Sequence, residues 1–186
     1  MAGSVMFEGF SATETQDLVR AFELMKEGSR RAKTALLGGD LSAFNKWFDS
    51  TGTRSHLMKV STIIKEVDDA IQHRSITFAN ASGNKVDKEE GGLCGYVWLV
   101  QTGSAGDAFS SAAHFGSGMR VMMVMRTHRT LGDLAETMYH ELSHKVGGTK
   151  DITYKKATCQ GNASANPQLA ALNAENYNLF LREYLS

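Results

Sequence analysis

The chain has 186 residues, 42% of them hydrophobic and 22% charged, a size and balance that fit one globular domain able to bury its apolar surface without disulfide staples. Twenty basic side chains offset twenty acidic ones and no lysine- or arginine-rich tract occurs, which argues against a nucleic-acid or anionic-membrane partner. Met1 to Phe10 has neither a basic start nor an apolar run of about seven residues, and no later stretch approaches the roughly eighteen apolar residues of a membrane span, so a soluble chain is expected.

Ser11 with Glu14 has the pattern of a capping box. Leu18, Phe22, Met25, Ala32 and Leu36 then recur at near-helical spacing until Gly38-Gly39 supplies a left-handed exit, which predicts one long helix. A short segment with Phe44, Trp47 and Phe48 follows. After Thr51-Gly52, Leu57, Val60, Ile64, Val67 and Ile71 form the stripe of a second long helix. The period then changes: Ser75 to Phe78, Leu93 to Val100 and Met119 to Met125 read as strands of a three-stranded sheet, with a polar connection after Ala81 and a small, polar loop over Gly103 to Gly118. In the third strand Met122-Met123 reads as core filling and strand surface. Thr130 with Asp133 repeats the capping pattern and opens a helix with Leu131, Leu134, Met138 and Leu142 inward, ending at Gly147-Gly148. Asn166 before Pro167 predicts a final helix from Pro167 to Leu185 with Leu169, Leu172, Tyr177, Phe180 and Leu181 on its apolar face. One domain over 1–186 is expected, helical over 1–73, with the sheet and two further helices over 74–186. Cys94 and Cys159 lack paired C-x-x-C spacing and are expected as free thiols.

The helix opened by Thr130 contains His140-Glu141-Leu142-Ser143-His144. Residues four apart share a helix face, so His140 and His144 can offer two imidazole nitrogens to one metal ion at about 2.0–2.1 Å. By itself this pattern also arises by accident in polar helices. Here two glycines follow and allow the chain to double back, so that Asp151 can add a carboxylate. Two nitrogens and one oxygen leave a fourth position to water, as in catalytic zinc sites and unlike closed structural ones. Glu141 would take that water's proton, and Tyr154 would donate to a developing oxyanion. Alone, a tyrosine after a turn is more often a buried aromatic; its spacing from Asp151 makes it a candidate. His56, His73, His114 and His128 have no partner at ligand spacing and are expected at the surface or in ordinary hydrogen bonds.

The run His140 to His144 followed by Gly148-Thr149-Lys150-Asp151-Ile152-Thr153-Tyr154 resembles the aspzincins, the deuterolysins and peptidyl-lysine metalloendopeptidases, whose pattern is H-E-x-x-H then G-T-x-D-x-x-Y-G. Lys155 stands where that pattern has its last glycine. Trp47-Phe48, Gly95-Tyr96-Val97-Trp98 and Asn173 to Phe180 are similar to family stretches in the same order, closest to the lysine-specific branch. The resemblance implies an α+β, zincin-like fold, mostly helical with a small antiparallel or mixed sheet. It implies one zinc ion per chain on His140, His144 and Asp151, with Glu141 as general base and Tyr154 on the oxyanion. It further implies that Glu175 and Asn178 occupy the positions where lysine-specific members carry two acidic residues for the substrate ammonium. A solvated helix glutamate is the plainer reading of Glu175.

The expected function is therefore a zinc endopeptidase acting on peptide or protein substrates, with a preference for lysine on the leaving-group side. The chain is expected to be a monomer, secreted or delivered outside the producing cell. Two alternatives stand beside it: an exported effector or toxin amidase acting on cell-wall peptide, and a non-catalytic binding module of zincin fold.

Overall fold

The structure is a computed structural model that describes residues 3–83, 94–96, 119–125, 128 and 130–185. Its elements in chain order are β1 (Val5–Glu8), α1 (Ala12–Leu37), α2 (Ser42–Trp47), α3 (Arg54–His73), β2 (Ile76–Asn80), β3 (Gly95–Tyr96), β4 (Met119–Met123), α4 (Leu131–Gly147), α5 (Lys156–Ala165), α6 (Pro167–Ala170) and α7 (Ala174–Arg182).

The first capping box forms as its sequence requires. The Ser11 hydroxyl accepts from Glu14 N–H at 3.3 Å, and the Glu14 carboxylate accepts from Ser11 N–H at 2.8 Å. At the other end of α1 it is Gly39, at φ 85°, that takes the left-handed conformation, one residue beyond the cap at Gly38. Leu18, Phe22, Met25, Ala32 and Leu36 are buried, and α3 buries Val60, Ile63, Ile64, Val67 and Ile71 toward them. α4 lies between, packed against α1, α3 and α7.

The sheet has four strands in the order β1-β2-β4-β3, one more than expected. β1 runs parallel to β2 and β2 parallel to β4, while β3 pairs antiparallel with β4, so the sheet is mixed. β1 escapes a sequence reading because it is four residues long and half-buried in alternation. Phe7 stacks on Phe78 with centroids 5.7 Å apart, and Phe22 of α1 meets the same ring edge-on at 6.1 Å, which ties sheet to helices. Met123 is buried and Met122 only partly so, as strand alternation predicts. Gly95 and Tyr96 are the part of the expected Leu93–Val100 strand that falls among the described residues; Trp98, His114 and the Gly103–Gly118 loop lie outside them.

The expected single C-terminal helix is two helices. Asn166 caps Pro167 as predicted, its side chain accepting from Leu169 N–H, but α6 ends after four residues. Asn173 is then extended, at φ −88° and ψ 119°, because it forms a parallel bridge with Lys150 before α7 begins. Leu169 is consequently exposed, whereas Tyr177, Phe180 and Leu181 are buried. α5 is an unforeseen helix: it buries only Cys159 and Ala163, too little apolar periodicity to announce itself. No disulfide joins buried Cys159 to exposed Cys94. No helix of the described residues is long and apolar enough to cross a membrane.

Asp49, fully buried, organises the entry to α3, whose N-cap Thr53 makes no side-chain cap bond of its own. Its carboxylate accepts from Thr51 N–H at 2.8 Å, Thr51 Oγ1 at 2.5 Å, Thr53 N–H at 3.1 Å and His56 Nδ1 at 2.8 Å. Burial alone would raise this carboxyl, but the donors from Thr51, His56 and Thr53 outweigh it and hold the group well below the usual carboxylate range. A depressed folded-state pKa contributes stability that is present above the unfolded value of about 4 and is lost as pH falls below it. Asp49→Ala should therefore cost about 1–3 kcal/mol at pH 7, and urea unfolding of both proteins should show that difference shrinking at pH 3. A gap of the same size at both pH values would contradict this.

Candidate metal centre

α4 begins at Thr130, whose hydroxyl accepts from Asp133 N–H while Asp133 accepts from Thr130 N–H, so the second capping box also forms. The helix ends on two glycines with different tasks. A Cβ on Gly147 would lie 2.6 Å from Ile63 Cγ2, so this glycine lets α4 close on α3. Gly148 is in the left-handed region at φ 63°, and it turns the chain back across the face that carries His140 and His144.

The reversal brings three side chains to one point. His140 Nε2 lies 3.0 Å from Asp151 Oδ1, His144 Nε2 lies 3.2 Å from the same oxygen, and the two Nε2 atoms are 3.1 Å apart. Tetrahedral zinc with bonds of about 2.0–2.1 Å sets its ligand atoms about 3.3 Å apart, so this triangle matches the ion closely. Each imidazole is also fixed from behind. The Thr149 carbonyl can only accept, so His144 donates through Nδ1 at 2.7 Å and keeps the Nε2 lone pair for the centre. Nδ1 of His140 faces Glu175 Oε2 at 3.5 Å, an ionic contact that orients its ring the same way. Ser143 steadies Thr149, with hydroxyl oxygens 2.8 Å apart.

The charges around this point are strongly perturbed. Burial works against a charged His140, but Asp151 and Glu175 overcome it and the imidazolium is pushed up to about 9. Burial would raise Asp151, yet bonds from His140 and His144 hold it far below the usual range. Glu141 is pushed up to about 7, chiefly by burial, with the histidines pulling the other way. Among the described residues nothing hydrogen-bonds to its Oε2. Gly95 of β3 crosses directly over this carboxylate: a Cβ there would lie 3.1 Å from Glu141 Cγ and 3.2 Å from Glu141 Oε1.

Tyr154 is 63% exposed, so the buried-aromatic reading does not apply. Its ring stacks on His140 at 5.8 Å and 16°, and burial of its phenol together with the Asp151 carboxylate keeps that phenol protonated far above neutral pH. Glu175 is not a solvated glutamate either: its side chain is 13% exposed and accepts from Asn178 Nδ2 at 3.0 Å. His56 and His128 make ordinary hydrogen bonds, to Asp49 and Thr137, and His73 is exposed.

Sequence reasoning missed several supports. Arg182 on α7 binds Glu136 on α4 through both guanidinium arms, with Nε 2.7 Å from Oε1, one turn before His140. Asn173 and Asn176, both fully buried, bond to each other at 2.7 Å beneath the Asp151 loop. The ion pair joins residues 46 apart, and the amide pair acts through Ile152, Thr153, Trp47 and Cys159, so neither leaves a local spacing signal.

The family model described as lysine-specific metallo-endopeptidase, aspzincin type, matches residues 33–182. The chain belongs to this aspzincin family. It is accordingly a zinc metalloendopeptidase, and its substrates are peptides or proteins. A solved structure titled zinc peptidase from Grifola frondosa has the same fold, with a TM-score of 0.70 over 94% of this chain and 97% of that one at 21% identity. No curated protein matches in sequence.

A metal ion at this triangle would compete with a proton for the His140 nitrogen. Zinc affinity of this aspzincin, measured by chelator competition, should therefore fall about tenfold per unit as pH drops below about 9 and level off above it. An affinity unchanged between pH 6 and pH 8 would contradict that arrangement.

Proposed function

We propose that the chain hydrolyses peptide bonds at a zinc ion held by His140 Nε2, His144 Nε2 and Asp151 Oδ1. The triangle of these three atoms, at 3.0–3.2 Å, carries the reading. Zinc bound there would lower the pKa of a water to about 7 and polarise the scissile carbonyl. The chain's own residues do the rest. Glu141, buried beside the ligands and without another partner for Oε2, takes the proton of the attacking water and passes it to the leaving amine. Tyr154, a protonated donor stacked on His140, hydrogen-bonds the substrate oxygen that gains negative charge as the carbonyl carbon becomes tetrahedral. Glu175 and Thr149 hold the two imidazoles in the orientation that presents Nε2.

On the leaving-group side the reading assigns Glu175 and Asn178 to the substrate. Glu175 brings one carboxylate, partly committed to His140 and Asn178. Asn178 brings a buried amide oxygen that has no hydrogen-bond partner among the described residues. One charge and one neutral acceptor suit a lysine ammonium less selectively than two carboxylates, so lysine is preferred with relaxed discrimination.

Digestion of a denatured protein, with cut sites mapped by mass spectrometry, tests this directly. Glu141→Gln should lower kcat about 10²–10⁴-fold and Tyr154→Phe about 10²–10³-fold, both with zinc affinity retained, whereas Asp151→Ala should weaken zinc binding and lower its occupancy. Equal metal loss in all three variants would remove the separate roles, and a zinc-loaded protein that cuts nothing would favour a binding module. Asn178→Asp should raise the ratio of cuts before lysine to cuts elsewhere by about tenfold, or about 1.4 kcal/mol. An unchanged cut pattern would take Asn178 out of the substrate site.

A further inference from the structure

Asp151 has an insecure setting for a metal ligand. Its side chain is 48% exposed, and residues 151–155 belong to no helix or strand. Compared with His140 and His144, which are fixed by a helix, this carboxylate needs something else to keep it within 3.2 Å of both imidazoles.

Asn173 supplies it. The residue is fully buried in the turn between α6 and α7. Its Oδ1 accepts from Ile152 N–H at 3.0 Å and from Thr153 N–H at 3.2 Å, and its Nδ2 donates to the Thr153 carbonyl at 3.0 Å. On the other side of Asp151, Lys150 N–H donates to the Leu172 carbonyl at 2.7 Å, and Ala174 N–H donates to the Lys150 carbonyl at 3.0 Å. The backbone is thus held immediately before and immediately after Asp151 by three consecutive residues, 172 to 174. Asn173 Nδ2 also donates to Asn176 Oδ1, and Asn176 Nδ2 donates to the Trp47 and Cys159 carbonyls, so the anchor itself is tied to α2 and α5.

The same turn starts α7, where Glu175 stands behind His140. One buried amide therefore connects the loop bearing Asp151 and Tyr154 to the helix bearing Glu175. A side-chain amide is suited to this place because it offers an acceptor and a donor together, and the Ile152 and Thr153 groups require both.

We propose that Asn173 is a positioning residue for the metal centre: it presets the Asp151 carboxylate at ligand distance, so that the metal-free protein already has the geometry of the bound one. This rests on the assignment of His140, His144 and Asp151 as zinc ligands.

The test is a double-mutant cycle on zinc affinity, measured by chelator competition for the wild type, Asn173→Ala, Asp151→Ala and the double variant, with thermal unfolding of each metal-free protein alongside. Asn173→Ala should weaken zinc binding about 10–100-fold, the scale on which groups behind metal ligands act. In the Asp151→Ala background the same change should cost under about threefold, since no carboxylate remains to be placed. A loss of equal size in both backgrounds, or no loss in either, overturns the proposal, because general destabilisation does not depend on Asp151. Asn173→Asp keeps acceptors for the two N–H groups but loses the donor to Thr153; it should lose less affinity than Asn173→Ala and carries the test if the alanine variant fails to fold. Wild-type protein that binds no zinc would sink the ligand assignment itself, a result distinct from wild-type binding with unaffected Asn173 variants.

Discussion

The left-handed turn at Gly148 governs the site, because it folds a loop back over the helix that has just ended. Without that reversal His140 and His144 would be two imidazoles on a helix face with no third ligand. With it, the Thr149 carbonyl meets His144 Nδ1 at 2.7 Å, and Asp151 Oδ1 comes within 3.2 Å of both Nε2 atoms. The turn places the loop but does not stiffen it; that falls to the Asn173 amide and the Lys150 bridge. A local backbone conformation and a long-range amide anchor therefore together place the Asp151 carboxylate beside the two imidazoles.

α4 and α7 form the rigid part. They lie antiparallel, with Glu136 bound to Arg182 near one end of the contact and His140 facing Glu175 near the other. Both links join an acid to a base, so they set register as well as proximity. Charge at the centre is balanced between two opposed demands. Burial raises Glu141 toward neutrality, which would suit its proposed role of gaining and losing a proton, while the two neighbouring histidines keep Asp151 ionised. Two carboxylates ten residues apart are thereby driven in opposite directions by their surroundings.

Much of this was legible in the chain. Both capping boxes, the stripes of α1 and α3, the end of α4 and the three candidate ligands follow from local spacing, which is where sequence reading is strong. The failures share a physical cause. β1 exists because β2 gives it a partner, and the break between α6 and α7 exists because Lys150 pairs with Asn173. Resemblance alone singles out Glu175, and no local spacing signals its contact with His140, which tertiary packing creates. Asn173, Asn176, Glu136 and Arg182 act chiefly through partners distant in sequence, and no periodicity encodes those. Tyr154 went the other way: its spacing from Asp151 singles it out, and in the structure it is exposed with its ring stacked on His140.

The central claim is that two imidazoles and one carboxylate bind zinc and leave a position for water. X-ray absorption at the zinc edge of the loaded protein addresses it most directly. The account predicts four nitrogen or oxygen neighbours at about 2.0–2.1 Å, with outer-shell scattering from two imidazole rings, and one oxygen neighbour exchanged or lost in Asp151→Ala. A sulfur neighbour at about 2.3 Å, or a shell unchanged by Asp151→Ala, would contradict it.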